Sequence, residues 1–177
     1  MITSGSNQSL LPDINIRNNY QYGDIGMVLS LHGQVYHQGY GFNHEFEAYV
    51  AEGLAEFARI YQDGKSSLWI AEIKDTIIGS IAILERPHQQ AQLRWFLVHP
   101  DYRGIQLGKH LFGEALKFCQ DAEYEKVYLW TLGHLDAART IYHKNGFKLL
   151  EKNKIVQFGH HLVEEYHVLN LKELSTK

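Results

Sequence analysis

The stretch from Leu93 to Gly113, LRWFLVHPDYRGIQLGKHLFG, constrains the fold of this 177-residue chain more than any other. Its apolar run Leu93 to Val98 reads as a strand that stops at Pro100, a short turn carries Arg103 and Gly104, and an amphipathic helix begins around Gln106 to Gly108. A strand that empties through a glycine-containing turn into a helix start leaves several backbone N–H groups without partners. Those donors, with the positive end of the helix dipole, make a phosphate site. The turn therefore predicts a phosphate-bearing ligand.

Periodicity places the other elements around it. Ile14 to Arg17 reads as a short first strand. Asp24 is expected to cap a helix that carries Ile25, Val28, Leu29 and Tyr36 and ends near Gly39 to Gly41. A second helix runs from about Glu45 to Tyr61, with Phe46, Val50, Leu54, Phe57 and Tyr61 repeating at helical spacing. Strands at Ser67 to Ile73 and Thr76 to Leu84 are joined by the tight Lys74-Asp75 turn. After the helix from Gln106 to Asp121 come a strand at Lys126 to Thr131 and a short helix at Leu135 to Lys144, closed by Asn145-Gly146. Two final strands are expected, about Phe147 to Phe158 and Leu162 to Leu171, with Gln157, Phe158, His160 and His161 in the hairpin turn. The order is that of a mixed α/β sheet: residues 1–13 form a flexible polar lead-in and residues 14–177 a single domain.

Composition narrows the partners. A net charge of −3 offers no basic excess for nucleic acid. No apolar run approaches the roughly 20 residues of a membrane span, and the first residues lack a signal peptide's basic start and apolar core. The cytoplasm is the expected location. The single Cys119 lies mid-helix beside Leu116 and Phe118 and reads as a buried, inert thiol.

Two motifs now stand together: Val98-x-Pro-x-x-Arg103-Gly104-x-Gln106-x-Gly108 and, about 30 residues later, Ala138-x-x-x-Tyr142-x-x-x-Gly146-Phe147. Their spacing and the order of elements from Ile14 to Leu171 resemble the GNAT (GCN5-related N-acetyltransferase) superfamily. More narrowly, Asp24-Ile25-Gly26, His32-Gly33-x-x-Tyr36, Tyr40-Gly41-Phe42, Phe46-Glu47, Trp130-Thr131, Leu135-x-Ala137-Ala138 and Phe158-Gly159-His160 are similar to a GNAT subgroup often fused behind a MarR-type helix-turn-helix domain. With no room for such a domain before Ile14, this chain is expected to be the stand-alone catalytic half.

The resemblance implies a mostly antiparallel central sheet of about six or seven strands flanked by four helices and splayed between strands 4 and 5. It also implies acetyl-CoA as donor, with no metal, and an amine as acceptor. Phe96, Leu97 and Val98 would pair with pantetheine as a missing strand does. Arg103, Gly104, Ile105, Gln106, Leu107, Gly108 and Lys109 would wrap the pyrophosphate, and Ala138 would line the same site. The family's usual middle glycine is Gln106 here, which a helical backbone at that position would accommodate. Tyr142 would be the general acid for the departing thiolate. For the base, the family's acid on the fourth strand has no counterpart, since positions 92–96 read QLRWF. Glu85, at the end of the preceding strand, is the nearest acid, and direct loss of the proton to water is the alternative.

In this fold the acceptor groove lies between the first two helices and the last hairpin. His32, Tyr36, Tyr40, Phe42, Phe46, Phe158 and His160 are the candidate acceptor residues, and aromatic rings with a few polar tips suit a small amine. The plain alternative is that His32, Tyr36 and Phe46 are core. A metal site from His32, His160 and His161 is disfavoured, because adjacent histidines do not focus on one ion. Three functions follow: acetylation of a small amine, acetylation of a protein lysine or N-terminus, and non-catalytic sensing of acyl-CoA. Tyr142 argues against the last. The edge of the C-terminal hairpin offers a route to a homodimer.

Overall fold

The computed structural model describes residues 13–173, so the lead-in expected over residues 1–13 falls outside it up to residue 12. The elements are β1 (Asn15–Arg17), α1 (Asp24–Tyr40), α2 (His44–Ile60), β2 (Ser67–Ile73), β3 (Thr76–Arg86) and β4 (Gln90–Val98). After a 3-10 turn at Pro100–Tyr102 come α3 (Leu107–Asp121), β5 (Lys126–Leu132), α4 (Asp136–Lys144), β6 (Lys148–Gln157) and β7 (His160–Asn170). The seven strands form one sheet in the order β1-β2-β3-β4-β5-β7-β6. Every neighbouring pair is antiparallel except β4 and β5. This is the mixed, splayed sheet that the resemblance implies.

Helical periodicity decides which face each helix buries. In α3, Leu107, Leu111, Phe112, Ala115 and Cys119 are buried and pack with Trp69, Ile81, Leu129 and Tyr142 on one face of the sheet. In α2, Val50, Leu54 and Phe57 pack with Val28, Ile70, Leu84 and Trp95 on the other. Each such side chain contributes about 1.5–3 kcal/mol on burial, so the two stripes fix the helices against the sheet. Burial also pushes the Cys119 thiol up to about 12, in keeping with an inert core residue.

Turn chemistry sets the hairpins. Lys74 and Asp75 both take positive φ (47° and 64°), matching the strand twist between β2 and β3. The last hairpin turns on Phe158 and Gly159 alone (φ 56° and 81°), and His160 pairs with Gln157. His160 and His161 are therefore strand residues, not the turn residues expected from sequence. A second correction concerns α1, where the capping position is Gly23 at φ 98°. Asp24 lies inside the first turn, buried, where it accepts hydrogen bonds from Arg17 at 2.6 and 2.9 Å and from the Gln21 amide at 2.7 Å. Its carboxylate ties β1 to α1 instead of capping the helix.

The strand that matters most is β4. Its pairing with β3 runs Gly79–Val98 and Ser80–Leu97, then resumes at Ala82–Arg94, leaving an extra residue in β4. Trp95 stands at φ 47°, a left-handed conformation rare for a side chain of that size. The Ser80 hydroxyl donates to the Trp95 carbonyl at 2.7 Å and so satisfies the displaced backbone.

Candidate functional site

Strands β4 and β5 pair only at Gln90–Lys126, Ala91–Val127 and Gln92–Tyr128 before they part. Beyond that point one edge of β4 has no strand partner, and a cavity of about 690 Å³ is lined by the diverging strands, the α3 start, α4 and the α1–α2 side. Phe96, Leu97, Val98, Arg103, Gly104, Gln106, Leu107, Gly108, Lys109 and Ala138 all line it. Ile105, the remaining expected cofactor residue, is outside the lining and is 38% exposed.

At the α3 end, the amides of residues 104–109 find no acceptor among the described residues; the first helical bond there is from His110 to Gln106. Gly104 takes φ 82°, which glycine adopts without penalty. Gln106 takes φ 65° and ψ 7°, so the expectation of a helical backbone there is overturned. The loop bends back through a second left-handed residue before α3 starts, and Gln106 carries the strain that a glycine would not. Arg103 donates from Nε to the Val98 carbonyl at 3.2 Å, which fastens the turn to the end of β4.

Tyr142 lines the same cavity from α4 and is 4% exposed. Its ring packs 5.7 Å from Phe112 and 5.9 Å from Phe147, so the packing role and the access to the cavity coexist. Burial raises the phenol's pKa far above its ordinary value, with Tyr36 adding to the rise and Thr131 opposing it. The hydroxyl therefore keeps its proton at neutral pH. The helix bearing it is tied to β7 through Arg139, which donates to Glu165 at 2.9 Å.

On the opposite wall stand His32, Tyr36, Tyr40, Phe46 and Phe158. Phe42 and His160 do not reach it. Phe42 is buried behind the wall, 5.2 Å from Phe46 and 5.3 Å from Phe158, and His160 sets Nε2 against the Gly41 carbonyl at 3.1 Å. Both support the aromatic cluster from outside the cavity. Glu85 is also absent from the lining; it pairs with Lys65 at 3.3 Å.

His32 is buried, with Nδ1 2.8 Å from the Val28 carbonyl. A carbonyl only accepts, so Nδ1 carries the hydrogen and Nε2 bears the lone pair. Burial pushes its pKa down to about 4, with Arg94 adding to the effect. The lining also holds charged or imidazole side chains that the sequence reading did not single out, Arg94, His134, Asp136 and Glu164. Burial lowers the pKa of His134, and burial together with Glu151 raises that of Glu164. Tyr49, Trp95 and Thr131 are among the other lining residues. The bulge explains Arg94 and Trp95, since no residue type in QLRWF marks the extra residue. Among the described residues no group of three or more His, Cys, Asp or Glu is arranged to hold a metal ion. No helix among them is long and apolar enough to cross a membrane.

Comparison with known proteins bears on the family and the fold. The Acetyltransferase (GNAT) family model matches residues 35–147. N-acetyltransferase 8F1 of Rattus norvegicus is 28% identical over 110 residues, which cover 59% of this chain and 50% of that protein. The chain thus spans about half the length of the curated relative it matches. Among solved structures, a GNAT-family acetyltransferase of Staphylococcus aureus Mu50 superposes with a TM-score of 0.73 at 19% identity, covering 89% of this chain and 99% of that one. A Salmonella typhimurium protein described as an acetyltransferase, solved with its cofactor acetyl-CoA, gives a TM-score of 0.70 at 15% identity over 89% and 94% of the two chains.

Proposed function

The chain belongs to the GNAT acetyltransferase family, and on that footing we propose that it transfers the acetyl group of acetyl-CoA to a small primary amine. One observation carries the reading: a single cavity joins the amide-rich α3 turn, the unpaired edge of β4, the Tyr142 phenol and an aromatic wall. The free amides of residues 104–109, with the α3 dipole and the side chains of Arg103 and Lys109, suit the pyrophosphate. The open edge of β4 offers backbone groups to the pantetheine amides. When bound, acetyl-CoA supplies an activated thioester carbonyl.

Chemistry at that carbonyl needs a neutral amine, a donor for the developing oxyanion and a proton for the leaving sulfur. A β4 amide near Leu97 or Val98 serves the oxyanion, in a position that costs no reorganisation. The amine nitrogen bonds to the carbonyl carbon as the carbon–sulfur bond breaks. Tyr142 gives its proton to the sulfur, and the amine proton leaves through water in the cavity. Glu85, paired with Lys65 outside the cavity, has no part in this scheme. An aromatic wall of Tyr36, Tyr40, Phe46, Tyr49 and Phe158 favours a metabolite over a protein segment.

The test is Tyr142→Phe. The variant keeps its melting temperature shift with acetyl-CoA and loses about 10²–10⁴-fold in kcat, the usual size of a general acid's contribution. Unchanged turnover in a steady-state assay would remove Tyr142 from the mechanism.

A further inference from the structure

We propose that the acceptor amine carries a carboxylate, and that Arg94 and the indole N–H of Trp95 receive it. The inference deepens, and rests on, the transferase reading above. Both residues line the cavity, and the bulge is what brings consecutive residues of β4 to the α1–α2 side. Arg94 lies against Gly53 of α2, where an added Cβ would come within 2.7 Å of its Nη1, so the guanidinium packs directly on the helix backbone. Its charged carbon sits 4.9 Å from the Trp95 ring centre and 5.5 Å from that of Tyr49.

Stacking on two rings holds the guanidinium plane and leaves its N–H edge to bind. The Arg94 backbone pairs with Ala82, but among the described residues its guanidinium makes no hydrogen bond and no ion pair. Glu56 is close enough for Arg94 to lower its pKa, but that carboxylate is engaged by Arg86 at 2.7 and 3.2 Å. The second observation is independent. Trp95 is 7% exposed and its Nε1 is a buried donor with no partner. A buried unpaired donor costs about 1–3 kcal/mol, a penalty that a bound acceptor removes.

Two adjacent donors without acceptors ask for an anion. The planar fork of arginine matches a carboxylate in bidentate fashion. A dianionic phosphate fits less well, since this wall offers one cation and the amide-rich turn already provides phosphate chemistry elsewhere in the cavity. The apolar rings around Arg94 suit an amine whose remaining part is apolar or aromatic, and the α-amino acids are the simplest members of that class.

The binding test compares phenylacetate with phenylacetamide by titration calorimetry, using the full chain. Phenylacetate is expected to bind at least about tenfold more tightly, equivalent to about 1.4 kcal/mol. Arg94→Gln is expected to bring the ratio near one, and Arg94→Lys to retain only part of it, with melting temperatures checking that both variants fold. Equal affinities in the parent protein, or a preference that survives Arg94→Gln, overturn the proposal. Thiol release from acetyl-CoA is followed in parallel with phenylalanine and phenylalaninamide. Removing the carboxylate lowers the pKa of the amine and enriches its neutral form, so chemistry alone favours the amide. A lower KM for the acid that rises in Arg94→Gln supports the assignment, and a lower KM for the amide overturns it. If phenylacetate is preferred yet no amine releases thiol, the transferase reading is what fails.

Discussion

Gln106 is a side-chain-bearing residue in the left-handed region, and its backbone shows the cost. At φ 65° it occupies a conformation that penalises a side chain by about 1–2 kcal/mol, and its side chain makes no capping hydrogen bond in return. Gln106→Gly is expected to stabilise the protein by about 0.5–1 kcal/mol, since glycine's extra freedom in the unfolded chain offsets part of the relief. A thermal melt checks it, and a lowered melting temperature would show that the amide side chain holds the loop. Glu165 is the opposite case, a buried carboxylate held by Arg139 and Lys152 at 2.9 Å and His167 at 3.0 Å. Although desolvation works against it, those partners bring its pKa down to about 2. Glu165→Gln is expected to cost about 1.5–3 kcal/mol, because Arg139 loses a charge-assisted hydrogen bond while the half-exposed Lys152 turns to water. Denaturant titration measures it, and a cost under 1 kcal/mol would mean that solvent compensates the cluster.

At the scale of elements, the bulge in β4 organises the site. It rotates Arg94 and Trp95 to the α1–α2 side, while Phe96 and Val98 pack on the α3 side. The Ser80 hydroxyl stabilises it through the Trp95 carbonyl. Ser80→Ala leaves that carbonyl buried without this donor, so a loss of about 1–3 kcal/mol is expected, together with a raised KM for acetyl-CoA as β4 straightens. Unchanged stability and KM would show that the bulge is held by packing alone. The helices and most strands were legible because their apolar spacing matches what they bury, as in Leu107, Leu111, Phe112 and Ala115 of α3. The bulge was not, because alternation across QLRWF reads the same whether or not one residue is extra. The hairpin turn was legible in place, with Phe158 in it, but not in length, since only Phe158 and Gly159 form it. A phenylalanine at φ 56° is disfavoured locally and is held there by burial against Phe42 and Phe46.

For the whole molecule, the buried ionisable groups set how stability responds to acid. His32 is held down to about 4 from an unfolded value of 6.5, and His167 is shifted the same way by burial. Between those limits the unfolded chain binds protons that the native state refuses, so stability is full above pH 6.5 and falls as pH drops toward 4. The depressed Glu165 adds a further loss below its unfolded value of 4.5. Glu164, raised by burial, works in the opposite sense with a smaller weight because it is only half-buried. The melting temperature is expected to be level near neutrality and to decline from pH 6.5 downward, less steeply in His32→Gln; a flat profile to pH 4.5 would contradict the burial of both histidines.

The turn from Arg103 to Lys109, the motif around Tyr142 and the sequence of elements were fixed by local information: residue spacing, apolar period and the backbone chemistry of helix starts. Those features belong to contiguous segments, so the chain carries them wherever it folds. Which wall each aromatic joins, that Phe42 and His160 stand behind it, that Glu85 is spent on Lys65 and that Arg94 lies unpaired over two rings were decided by tertiary structure. Each depends on residues far apart in the chain meeting across a splayed sheet, and one inserted residue in β4 changes which of them face one another.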